Sequence, residues 1–285
     1  MTPPDATATA RAAATATADI AVNARGLKVH LRTVAIGAVT YRVVSLRPAT
    51  TARFSANFFH DTWHLLTGGA GALVLGRLLW GLAFQRQPGT LLMIDAPHLV
   101  PTPFEADRAD PIVVVPAGLT RFDVDHLRTL RRRLGAGVPT TTVRWHTFGL
   151  PRALTADGAN AVWRRDEYRA ERAREQMSRR AGLICYTAPP DVLRAHAAAI
   201  YQLRDCQDMS YHPLAEAGRF RGWGSDGEVQ VFARFDDDVA AATIARREVL
   251  AGAERPLRDE SERQAVWSHR DRVADRRRAA RSRSR

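Results

Sequence analysis

The chain has 285 residues, enough for one large or two ordinary domains, and 45% of them are hydrophobic, so it can bury a sizeable core. The formal charge of +12 is carried by arginine, Lys28 being the only lysine among 42 basic side chains. Cys185 and Cys206 are the only cysteines, which excludes a disulfide framework and a four-cysteine zinc site and points to reduced thiols in a cytoplasm.

Residues 1–26 are mainly alanine, threonine and a few charges, with no apolar run of the signal-peptide kind. So little apolar surface cannot offset chain entropy, and a disordered leader is expected. From Leu27 to Leu46 a valine- and threonine-rich run with partial alternation predicts two strands, 28–35 and 39–46, folded on themselves at Gly37. Next, His60 and His64 stand four apart. On a helix they would share one face, as two metal ligands must, with Asp61 placed as the glutamate of H-E-x-x-H is. A third protein ligand is needed, and His98, His126 and His146 qualify by residue type alone, so no metal is assigned.

Thr62 to Asp95 holds the longest apolar run and the densest glycine cluster. Three structures account for it. The first is a core helix that buries Leu73, Leu79 and Phe84 while Gly71, Gly76 and Gly81 allow close packing. The second is a membrane-crossing or interfacial helix over 65–84, long enough for a bilayer but carrying Arg77 at a cost of roughly 2.5–3.5 kcal/mol. The third is a nucleotide turn: a strand at Trp63–Thr67, the turn Gly68, Gly69 and Gly71, a helix, and a second strand from Thr90 to Asp95. A phosphate would then meet the N–H groups of the helix start, and Asp95 would lie where a ribose hydroxyl is held.

The string TGGAG resembles the cofactor turn of the extended short-chain dehydrogenases. That resemblance implies a dinucleotide at Gly68, Gly69, Gly71 and Asp95, and it covers about five residues. Val74 occupies the third glycine position of G-x-G-x-x-G. With Lys28 as the sole lysine, no Tyr-x-x-x-Lys pair exists, so no catalytic residue follows.

Further along, the run PIVVV from Pro111 suits a strand buried on both faces. Thr120 to Asp123 reads as a helix start, Leu127, Leu130 and Leu134 as its buried stripe, and Thr140 to Phe148 as another strand. This defines a β-α-β unit over 111–148. Arg128, Arg131, Arg132 and Arg133 cover the rest of that helix, either as a solvated face or as a phosphate-binding one. Trp145 and His146 offer rings on which a base could stack, unless Trp145 points inward with Val143 and Thr147.

A polar helix is expected from Asn160 to Arg180, with Glu175 and Arg179 at supportive spacing, bridging two lobes. The last third then reads as a strand at 183–188, a helix at 192–204 capped by Asp191, a hairpin from Arg219–Trp223 to Glu228–Phe235 across the turn GSDG, and a helix at 239–251. That order is most of a ferredoxin-like split β-α-β. Asp236, Asp237 and Asp238 could ligate a divalent cation, but favourable placement at a helix N-terminus explains them without one. Cys206 and His212 stand six apart in a loop, with no mechanism attached. Residues 251–285 carry +5, ending in arginines that read as a frayed basic tail.

The expected fold is α/β or mixed α+β: a leader (1–26), a mixed domain with a central β-α-β lobe (27–150), a bridging helix (151–182), a ferredoxin-like lobe (183–254) and a charged helix with a basic tail (255–285). The expected role is that of an arginine-rich accessory protein without catalysis of its own. Its partner would be a polyanion, either nucleic acid or an acidic protein, met through Arg131, Arg132, Arg133, Arg276, Arg277, Arg278 and Arg281. The alternative is a Rossmann-like nucleotide-binding protein, with an atypical oxidoreductase as its enzymatic form.

Overall fold

The computed structural model describes residues 26–121, 123–134, 141–155, 174–215, 226–253 and 259–283. It is mixed α/β, built on two mixed sheets. Strands β1 (Leu27–Ile36), β2 (Val39–Leu46), β5 (Thr90–Ile94), β6 (Ile112–Pro116), β7 (Thr141–Trp145), β8 (Gln176–Arg180) and β9 (Leu183–Ala188) form a seven-stranded sheet in the order β7-β1-β2-β5-β6-β9-β8. Strands β3 (Phe54–Phe59), β4 (Thr62–Gly68), β10 (Met209–Leu214) and β11 (Gly227–Phe232) form a second sheet in the order β10-β11-β4-β3. The helices are α1 (Gly69–Ala83), α2 (Val124–Leu134), the single turn α3 (Leu150–Ala153), α4 (Pro190–Gln202), α5 (Phe235–Gly252) and α6 (Asp259–Arg283).

The apolar runs decide the layers. β5 and β6 are buried on both faces, as an unbroken branched apolar run requires. On one side Val43, Leu91, Val113 and Val115 pack under the Leu127, Leu130 and Leu134 stripe of α2. On the other, Val44, Leu92, Val114 and Tyr186 join α1, α4 and the inner residues of the second sheet, Leu65, Val229 and Val231, in one continuous core. The outer face of that sheet carries Leu66 against Phe235 and Val239 of α5, and α6 packs on α5 through Val266 and Val273 against Ala241 and Ala245.

Helix α1 lies in the middle of this core and packs on α4. Gly76 permits that approach: a Cβ there would stand 2.7 Å from the Ala197 carbonyl oxygen. Gly81 faces the Trp145 indole, whose Nε1 donates to the carbonyls of Arg77 and Leu78 at 3.2 Å each. The segment is therefore a glycine-punctuated core helix that buries Leu79, though Leu73 is only partly buried and Phe84, just past its end, is 52% exposed; no described helix is long and apolar enough to cross a membrane.

Several expectations are corrected by the pairing of strands. Strands β4 and β5, which flank α1, belong to different sheets, so the stretch makes no Rossmann unit. Strands β6 and β7 share a sheet but are separated by β5, β2 and β1. The ferredoxin-like order is also divided, since β9 joins the first sheet while the β10–β11 hairpin joins the second. The partner of β11 is 209–214; the expected partner, 219–223, lies outside the described residues. Of the expected helix 160–180, residues 160–173 lie outside them too, and 176–180 is a strand pairing with β9. The first two strands pair as expected, Val29 opposite Leu46 through Ile36 opposite Val39. The leader lies outside the described residues. Arg276, Arg277, Arg278, Arg281 and Arg283 belong to the continuous helix α6, not to a frayed tail.

Candidate ligand clefts

The glycine turn is packed closely by the chain itself. A Cβ on Gly69 would collide with the Arg204 backbone carbonyl, and one on Gly71 with the Thr67 hydroxyl, which itself donates to the Arg53 carbonyl at 2.6 Å. Gly68 faces Phe235 at 3.1 Å. These glycines bring chain against chain, where a side chain would not fit.

The histidine pair is also dispersed. His60 sits in the β3–β4 turn with φ +48°, whereas His64 lies buried in β4, so the helical spacing does not arise. His64 Nδ1 is 2.9 Å from Asn57 Oδ1, and its Nε2 is 3.3 Å from Glu228 Oε1, a row across three strands. Burial lowers the His64 pKa, opposed by Glu228. His98 meets the Ala52 carbonyl oxygen, His126 the Tyr41 hydroxyl, and His146 stacks on Phe148. Among the described residues no group of histidine, cysteine and acidic side chains could hold a metal.

The arginines singled out as a phosphate surface are for the most part engaged. Arg131 donates to the Ala181 carbonyl at 2.9 Å and Arg133 to that of Ala35 at 2.6 Å, while Arg132 is exposed. Arg276 pairs with Glu248 (2.6 Å), Arg281 with Asp237 (2.6 Å), Arg277 with Asp237 (3.9 Å) and Arg278 with Asp275. Of the three aspartates at the start of α5, Asp237 thus supplies a partner for Arg277 and Arg281 near the end of α6, while Asp236 lies 3.8 Å from Arg53; all three are also favourably placed at a helix N-terminus.

Two polar clusters escaped the sequence reading. One surrounds Glu175, fully buried, whose Oε1 accepts from the Tyr186 hydroxyl at 2.5 Å and lies 2.7 Å from His196 Nε2. His196 Nδ1 is in turn 2.6 Å from His212 Nε2. Burial alone would push the Glu175 carboxyl up, but the His196 contact and the Tyr186 and Ala215 hydrogen bonds overbalance it and hold the carboxyl down at about 2. Its members come from β8's approach, β9, α4 and β10, so no spacing in the sequence announces them. Cys206, paired by eye with His212, instead donates toward the Val231 carbonyl at 3.4 Å.

The second comprises two clefts that share a wall of Arg108 and Asp110. The smaller, about 460 Å³, is walled by apolar residues such as Met93, Leu99 and Leu134, and into it come Asp95 from the end of β5 and Arg131 from α2. Asp95 lies 3.6 Å from the Arg32 guanidinium, which also donates to the Leu134 carbonyl. Burial pushes the Asp95 carboxyl above its ordinary range, against the pull of Arg32 and His98. Asp110 pairs with Arg179 at 2.6 Å, whereas exposed Arg108 has no ion-pair partner among the described residues.

The larger cleft, about 600 Å³, is walled by Phe58, Phe59, Trp63 and Trp267 and edged by Asn57, Glu105, Asp107, Glu260, Arg263 and Gln264. Asp107 is taken by Arg246 (2.8 Å) and Arg263 (3.0 Å). The structure therefore joins Asp95 and Arg131, drawn from two separate sequence readings, and leaves the glycines and Arg276, Arg277, Arg278 and Arg281 elsewhere. Comparison with protein-family models, with curated proteins and with solved structures finds no match for this chain.

Proposed function

We propose that the protein binds a small anion-bearing ligand in the cleft of Asp95, Arg108 and Arg131. The carrying observation is Arg108: a guanidinium without a carboxylate partner among the described residues, which lines, with Asp95, Arg131 and the Arg179-paired Asp110, a cleft whose other walls are apolar. Such a concave, mostly apolar site with a few convergent polar groups is the usual form of a small-ligand pocket. Arginine suits a phosphate or carboxylate through its planar fork of donors. The Asp95 carboxylate suits a hydroxyl on the same ligand, a role it keeps although the glycine turn does not contribute.

Calorimetric titration with ribose 5-phosphate tests this reading. Binding is expected, and Arg108→Ala should weaken it about 10-fold or more, the loss of one charge-assisted hydrogen bond. No heat and no shift in Tm at millimolar ligand would sink it. Polyanion association through Arg131–Arg133 and Arg276–Arg281 is the weaker reading, because it must displace contacts that most of these side chains already make. Salt-dependent retention on heparin that is lost when Arg276, Arg277, Arg278 and Arg281 are together changed to glutamine, but kept when an equal number of arginines elsewhere is changed, would restore it.

A further inference from the structure

Among the described residues, three of the ten exposed large hydrophobic side chains, Phe58 (52% exposed), Phe59 (46%) and Trp267 (37%), line the larger cleft. Exposed aromatic surface gathered in one concavity is unusual for a side-chain class that otherwise seeks the core. The rings are held in place: Phe58 tilts onto Trp63 at 4.7 Å, Phe59 lies 6.3 Å from Trp267, and Trp267 stacks on Phe104 at 5.6 Å and 20°. Strand pairing of β3 with β4 fixes the first two, with Phe58 opposite Trp63 and Phe59 opposite Thr62. The polar edge is equally settled. Asn57 is held by His64, and Glu105 sits with its carboxyl pushed up by burial and its Oε2 accepting from the Thr102 hydroxyl at 3.5 Å. Arg108 stands in the wall between this cleft and the one containing Asp95 and Arg131.

We propose that the two clefts are halves of one site for a nucleoside phosphate, its planar base against Phe59 and Trp267 and its sugar phosphate across Arg108 toward Asp95 and Arg131. This rests on the reading of the smaller cleft as an anion site and adds what the rest of the ligand is. Aromatic rings accept any base by its π-face, while amide and carboxyl groups such as Asn57, Gln264 and Glu105 can meet its hydrogen-bonding edge. The arrangement explains why a charged wall is shared: the guanidinium of Arg108 lies where base-binding and phosphate-binding halves meet.

The full chain is titrated in parallel with ribose 5-phosphate and adenosine 5′-monophosphate. The base should tighten binding about 10-fold. Trp267→Ala and, independently, Phe59→Ala should remove that advantage while leaving the ribose 5-phosphate affinity unchanged. Phe59 is 46% exposed at the end of β3, so its variant folds even if the Trp267 variant does not. Equal affinities for the two ligands, unaltered by either variant, would overturn the inference and leave the anion site standing. Failure of both ligands to bind would overturn the anion site as well.

Discussion

Glu175 is the residue with the clearest energetic consequence. Its folded carboxyl titrates at about 2 against an ordinary 4.5, so protonation favours the unfolded chain. The sign follows from linkage: the stabilisation is complete above about pH 4.5 and fades as pH falls toward 2. That gap corresponds to something on the order of 3 kcal/mol. Acid denaturation of the wild type should steepen across this window, and Glu175→Gln should flatten the dependence there. An identical profile in the variant would mean that another carboxylate governs acid stability. Breaking the pair outright with Glu175→Ala should cost about 3–5 kcal/mol, because His196 then remains buried without its acceptor. The sequence suggested a solvated pairing of Glu175 with Arg179. Arg179 instead pairs with Asp110, because 176–180 is a strand and not the helix that would have set the two four apart on one face.

At the scale of elements, α1 owes its place to what its glycines lack. Gly81→Ala would press a methyl group into the Trp145 indole and should destabilise the fold by about 1–3 kcal/mol, read as a lowered urea midpoint at unchanged slope. Ligand affinity should not move, because neither cleft includes α1. The apolar run and the glycine spacing at 71, 76 and 81 made this helix recognisable in advance. Its identity as a core helix was decided by α4 and Trp145, which lie more than sixty residues further along the chain. A comparable distinction holds for α6. Val273 is buried against α5, so Val273→Ala should loosen the pair measurably, whereas Arg281→Ala, removing an exposed ion pair, should have a much smaller effect on Tm.

Across the whole molecule, one core runs through both sheets, with α1 and α4 among its members. The amides of β6 and β9, buried centrally and paired in parallel from Ile112 opposite Ile184 to Pro116 opposite Ala188, should exchange most slowly, and those of α6 sooner. Uniform exchange rates across these elements would contradict a stability centred on the first sheet. Strand and helix positions were mostly within reach of the sequence: 39–46 matches its strand, 183–188 likewise, and the Leu127, Leu130 and Leu134 stripe is buried as periodicity required. These are local matters of side-chain alternation and capping. Sheet membership was not within reach, because which strand edge a segment finds depends on partners distant in sequence.

The site divides along the same line. By itself the sequence determined the mixed α/β character, the apolar segments that must be buried, and the presence of Asp95 and the α2 arginines as chemistry looking for a location. Tertiary structure alone decided that Gly69 and Gly71 are filled by the chain's own Arg204 and Thr67, that the α6 arginines meet carboxylates from α5, and that Asp95, Arg108 and Arg131 share a cleft. The physical reason is that periodicity and capping act over a few residues, whereas a concavity is made by side chains from elements that only packing brings together.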